Sequence, residues 1–149
     1  MSKEIIESFY RAFQRRDAEA MAALYRDDVR FSDPAFGPLT GEHARNMWRM
    51  LAERASDLEL EFRDVTDSTA HWEARYTFSQ TGRKVHNIID ARFEFKDGKI
   101  ARHDDVFDFW RWSRQALGVP GLILGWSPML QNAVRKKALA GLAAFEQKR

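Results

Sequence analysis

Three ionisable side chains, Asp33, His103 and Asp105, have the types and spacing to move protons. Asp33 closes the alternation Val29, Phe31, Asp33, so the strand face that buries the first two points the carboxylate inward. An inward carboxylate loses hydration and holds its proton more tightly, which suits an acid or base working near neutral pH. Asp33 also precedes Pro34 and fits a turn-forming Asx residue, so both readings stand.

His103 and Asp105 depend on the register of one hairpin. If Lys96-Asp97-Gly98 is a three-residue loop with a bulge, Phe95 faces Lys99, Ala91 faces His103 and Ile89 faces Asp105. His103, Asp105 and Phe107 then share the apolar side. A two-residue loop would slip the pairing by one and set Asp104 opposite Ala91. The first register is expected, because it turns Asp90, Arg92 and Glu94 outward together and keeps Phe107 and Phe109 inward. His103 could then tune Asp105 or exchange protons with it; a buried structural His–Asp pair is the other reading.

The elements that must carry these groups follow from periodicity. Ile5, Ile6, Phe9, Tyr10 and Phe13 predict a helix over 3–15, and Asp17 caps a second helix carrying Met21, Leu24 and Tyr25. A short strand ends at Pro34; the loop 35–39 leads to Thr40 as cap of a third helix with Ala44, Met47, Trp48, Leu51 and Ala55 inward. From Leu58 to Phe107 alternation predicts about four antiparallel strands, with Gly82 and Asp97-Gly98 at the turns. Trp110 and Trp112 lead into an apolar loop, 118–126. Ser127 and Pro128 then open a helix with Leu130, Val134, Leu139, Leu142 and Phe145 along one side.

The chain suits one domain with one core. Aromatic residues make up 13% of it, enough to line a cavity, and Phe9, Phe13, Trp48, Trp72, Tyr76 and Phe107 are the expected lining. Cysteine is absent, which excludes disulfides and thiolate zinc sites. His43, His71 and His86 show no metal spacing, and no phosphate loop, nucleophile elbow or RNA-reading stripe is present. Neither metal nor cofactor is therefore expected, nor nucleic acid. The charged N-terminus and the lack of a long apolar run predict a cytoplasmic protein. Residues 1–110 hold 17 basic and 21 acidic side chains and residues 111–149 hold 7 and 1, so the basic character is concentrated in the tail. It reads as the solvated face of a helix, and membrane contact by that helix is not expected.

The order helix, helix, strand, helix, meander resembles the nuclear-transport-factor-2-like superfamily over residues 3–110 or so. The segment from Arg16-Asp17 through Leu24-Tyr25-Arg26-Asp27-Asp28-Val29-Arg30-Phe31-Ser32-Asp33-Pro34 resembles that of ketosteroid isomerases ending in the catalytic Asp-Pro. Asp97-Gly98-Lys99-Ile100 through Phe107-Asp108 resembles the last hairpin of SnoaL-type proteins. The resemblance implies an α+β fold: a curved antiparallel sheet packed against N-terminal helices into a cone with an apolar pocket, to which the tail, outside the resemblance, adds an extra C-terminal helix. It implies a domain over 1–110; the apolar loop and amphipathic helix of 111–149 lie outside it and are expected to pack on that domain, because their apolar row is costly to leave in water. Pairing through the outer sheet face as a homodimer is also implied. Asp105 matches the position where SnoaL-type cyclases and epoxide hydrolases carry an acid/base carboxylate. Two departures matter: Phe9 stands where the isomerases have a Tyr, and Ile88-Ile89-Asp90 replaces the hydrolases' Arg-x-Asp. Three functions are therefore expected to compete. They are an isomerase, cyclase or hydrolase moving protons through Asp33 and Asp105 on a small apolar ring compound, a non-catalytic binder of such a ligand, and a protein-interaction module.

Overall fold

A computed structural model describes residues 2–149. Two helices open the chain, α1 (Ser2–Gln14) and α2 (Ala18–Ala23). Asp17 caps α2 by accepting from the Ala20 amide. The apolar stripe of α1 buries Ile6, Phe9, Tyr10, Ala12 and Phe13. The second helix is shorter than its sequence suggests, and Tyr25 is not on it. Once Leu24 ends the helix, Tyr25 begins β1 (Tyr25–Asp33), where its backbone finds a partner in Ile100.

β1 turns back at Pro34 into β2 (Gly37–Thr40), pairing Asp33 with Gly37 and Phe31 with Leu39. Residues 37–40 are thus an edge strand rather than a loop. Thr40 does not cap the next helix: Gly41 holds the N-cap at φ 54, and α3 follows (Glu42–Arg54). β3 (Glu59–Arg63), β4 (Thr69–Phe78), β5 (Arg83–Lys96) and β6 (Lys99–Val106) form an antiparallel meander. β1 joins β6 in parallel, giving one six-stranded sheet in the order β2-β1-β6-β5-β4-β3.

The hairpin that carries His103 and Asp105 differs from expectation in an instructive way. Its loop has two residues, Asp97 and Gly98, both at positive φ as an Asp-Gly turn of the primed type requires. Such a loop alone would have turned Asp105 outward. A bulge between the Glu94 and Phe95 pairs inserts one residue into β6 and restores the parity, so Phe93 faces His103 and Ala91 faces Asp105. The expected facing is therefore reached through different partners.

The tail is helical throughout, as α4 (Phe109–Leu117), α5 (Val119–Leu124) and α6 (Pro128–Gln147). The apolar stretch read as a loop folds because α5 can lie almost against the backbone of α4. A Cβ at Gly121 would stand 1.9 Å from the Ser113 carbonyl oxygen, and one at Gly125 would stand 2.1 Å from the Ser113 hydroxyl. These two glycines serve close packing; Gly118, at φ 73, is the one that reverses the chain. Ser127 caps α6, whose Leu142 and Phe145 join the main core with α1, α3 and the sheet. Leu139, expected on the same face, is exposed.

Candidate functional site

β6 sets His103 and Asp105 two residues apart on the concave face, where an imidazole nitrogen reaches the next inward carboxylate. His103 Nε2 lies 2.9 Å from Asp105 Oδ1, and His103 Nδ1 lies 2.8 Å from the Tyr25 hydroxyl. Trp48 Nε1–H donates to that same hydroxyl at 2.8 Å, and Trp72 Nε1–H donates to Asp105 Oδ1 at 3.4 Å. The donors assign the tautomer: with Trp48 donating, the Tyr25 proton goes to Nδ1, so Nε2 carries its own proton and gives it to Asp105. Both ring nitrogens are satisfied, which a fully buried imidazole requires. Burial pushes the Tyr25 hydroxyl well above its usual range, keeping it a donor. Phe93 stacks on the imidazole at 4.2 Å between centroids, with Phe9, Phe31 and Trp48 on its other sides.

Asp33 arrives from the end of β1. Its Oδ1 accepts from the amides of Ala35 at 2.9 Å and Phe36 at 2.6 Å, while no protein group donates to Oδ2 among the described residues. The Asx-turn role and the inward placement thus coexist in one side chain. Burial raises its pKa to about 7; the two amides work against the rise and repulsion from Asp105 adds to it. Asp33 retains some accessible surface, but it lines a mostly apolar cavity where desolvation still acts. Tyr76, held by Trp112 Nε1–H at 2.9 Å, is pushed up to about 12 by burial, with the Asp33 charge contributing.

The cavity, of about 420 Å³, lies between the concave sheet face and helices α3, α4 and α6. Asp33 and Asp105 both line it, as do Phe13, Trp48, Trp72, Tyr76 and Phe107. Phe9 does not: the inward turn of α1 puts it behind the wall, packed on Tyr25 and His103 with no exposure. His103 likewise stands behind Asp105 rather than in the cavity. Asp90 faces outward and bonds His71 at 3.0 Å, so it takes no part.

Four contributors were not anticipated. Tyr25 was hidden by the expectation of a longer helix. Asn87 lies two residues before Ile89 on the same inward face, a signal that was available, and its amide lines the cavity without a side-chain hydrogen bond to protein among the described residues. Leu130 and Val134 come from α6, whose docking site no sequence pattern specifies. Among the described residues no cluster of His, Asp and Glu has the arrangement to hold a metal ion.

A cone-shaped α+β fold whose concave sheet face holds carboxylates over an apolar cavity defines the nuclear-transport-factor-2-like class. Within it, the family model of the SnoaL-like domain matches residues 6–103, and the chain belongs to that family. A search of curated proteins finds no match. Among solved structures it is similar to an LEH-like epoxide hydrolase from M. tuberculosis (20% identity, 83% of this chain and 95% of the other, TM-score 0.61). It is also similar to an epoxide hydrolase/cyclase-like enzyme of pyran ring formation in the polyether salinomycin (15%, 71% and 89%, TM-score 0.62). A third is an NTF2-like protein of unknown function from Burkholderia pseudomallei (22%, 72% and 90%, TM-score 0.57). At these identities the likeness is one of fold.

Proposed function

We propose that this protein is an enzyme moving protons on a small, mostly apolar ring compound, in an isomerisation, cyclisation or hydrolysis. The observation that carries the reading is a pair of carboxylates, Asp33 and Asp105, facing one apolar cavity in different environments. Asp105 accepts hydrogen bonds from His103 and Trp72 and acts as the base, with His103 fixing its orientation. Asp33, with a pKa of about 7, is partly protonated at neutral pH and acts as the proton donor. Asn87 orients a ligand oxygen, and the rings of Phe13, Trp72 and Tyr76 hold its apolar body. Residues 1–110 form the reacting unit and 111–149 complete its wall. No cofactor takes part, and the protein works as a cytoplasmic homodimer.

The test is a panel of cyclic ketones and epoxides sized to the cavity, followed for deuterium incorporation and for ring opening. Turnover that disappears in Asp33→Asn and Asp105→Asn while ligand binding persists is the expected result. A non-catalytic binder would hold the same compounds with no exchange in any variant, and that outcome would replace the enzyme reading.

A further inference from the structure

α5 turns an apolar face to solvent. Val119, Ile123, Trp126 and Met129 are each more than half exposed, and Leu122 and Trp110 adjoin them. The patch is continuous: Trp110 Nε1–H donates to the Leu122 carbonyl at 3.1 Å and Trp126 Nε1–H to the Ile123 carbonyl at 2.7 Å. Both indoles are thus tied to α5 with their polar edges satisfied. Beneath them Gly121 and Gly125 press on Ser113, which is fully buried, so this is a built surface and not a frayed loop. An exposed apolar patch of this kind marks a docking surface.

Charge identifies the occupant. From Phe109 to Phe145 the sequence contains no acidic residue and five basic ones, Arg111, Arg114, Arg135, Lys136 and Lys137. The Arg114 guanidinium sits over the Trp110 ring at 5.1 Å, and Arg83 borders Gly118 where α5 begins. Of the two carboxylates adjoining this stretch in sequence, Asp108 accepts from the Arg111 amide to cap α4, and Glu146 bonds His43 and Asn46 of α3. A second copy pairing through this patch would bring like charges together across the symmetry axis, which is costly. An anionic bilayer meets both features, taking the side chains into its interface and the guanidiniums onto its headgroups. Most of the large apolar residues of α6 are already used, since Leu142 and Phe145 are buried and Leu130 and Val134 line the cavity; Met129, at its start, joins the patch, and Leu139 is exposed apart from it.

We infer that the α4–α5 corner docks the protein on an anionic lipid surface, through Trp110, Leu122, Ile123 and Trp126 flanked by Arg83 and Arg114. The docking is independent of the proposed chemistry. It has a consequence for that chemistry, since Trp112 of α4 and Leu130 of α6 are cavity walls that would then lie near the phase in which apolar ring compounds dissolve.

The experiment uses the full chain with vesicles of phosphatidylcholine alone or with about a third phosphatidylglycerol. Sedimentation with the anionic vesicles only, accompanied by a blue shift of tryptophan emission, is expected. Ile123→Glu and, separately, Trp126→Ser should each cut the partition coefficient roughly tenfold, Arg114→Gln severalfold, and Leu139→Glu on α6 not at all. Ile123 and Trp126 are exposed, and unchanged melting curves would show that the variants fold. Wild-type protein that ignores anionic vesicles overturns the inference, as does binding that survives both patch variants. Dissociation of a dimer by Ile123→Glu in a protein that does not sediment assigns the patch to a second copy instead.

Discussion

Asp33 divides its two oxygens between structure and cavity, and that division sets how stability depends on pH. Its pKa rises from 3.8 to about 7 on folding, so between those values the folded state holds a proton the unfolded chain has released. Stability therefore falls as pH rises through this window and is lowest above it. Asp33→Asn keeps the acceptor for Ala35 and Phe36 and removes the charge. It should stabilise the protein at pH 8 by on the order of 2 kcal/mol, below the full shift because the side chain keeps some accessible surface, and by little at pH 4. Urea unfolding at both pH values checks this, and equal differences would show that Asp33 titrates normally. Tyr25→Phe strips a hydroxyl from between Trp48 and His103 and leaves two buried ring nitrogens unpaired, at a cost of about 1–3 kcal/mol. A variant as stable as the parent by urea unfolding would contradict the assigned network. Of these residues Asp33 was legible, since strand alternation points it. Tyr25 was not, because its partners Trp48 and His103 are 23 and 78 positions away and no local pattern reports them.

At the scale of elements, parity was easier to read than register. The run of inward residues on β5 fixes which side of β6 is buried, because a charged side chain facing the core is costly. The bulge that reconciles this with a two-residue Asp-Gly turn leaves no mark in composition, so the pairing partners were misjudged while the facing was not. Edge strand β2 and helix α5 escaped for a related reason: both are short, and tertiary contacts decide them. The close approach of α5 to α4 gives a direct test. Gly121→Ala puts a methyl where the Ser113 carbonyl already stands, so α5 must move, and a loss of at least about 2 kcal/mol is expected by urea unfolding, with faster proteolysis after Leu117. Ala at Gly82, a turn with open space around it, should cost less, since strain in φ is then the only penalty. Similar losses at the two positions would mean that α5 does not pack as described.

For the whole molecule, the sheet has two faces with opposite tasks. The concave face encloses the cavity, and the outer face of β4 and β5 carries a web of ion pairs. Glu73 accepts from His71 at 2.9 Å and His86 at 2.7 Å, with Arg63 at 3.3 Å, and these partners hold its carboxyl at about 2. His71 is in turn raised above its usual value by Glu73 first and then Asp90. Its charge is present at low pH and lost as pH climbs through that raised value, after which Glu73 and Asp90 lose the cation between them. If the homodimer expected from the resemblance forms through this face, the interface is polar and its strength follows these charges rather than apolar area. Light scattering at micromolar concentration should then report a dimer near pH 6 in low salt. The monomer fraction should grow both at about 0.5 M salt, where exposed charges are screened, and as pH climbs through the raised value at which His71 loses its charge. A dimer indifferent to salt and pH would place the interface on another surface, and a monomer under all of these conditions would remove the dimer altogether.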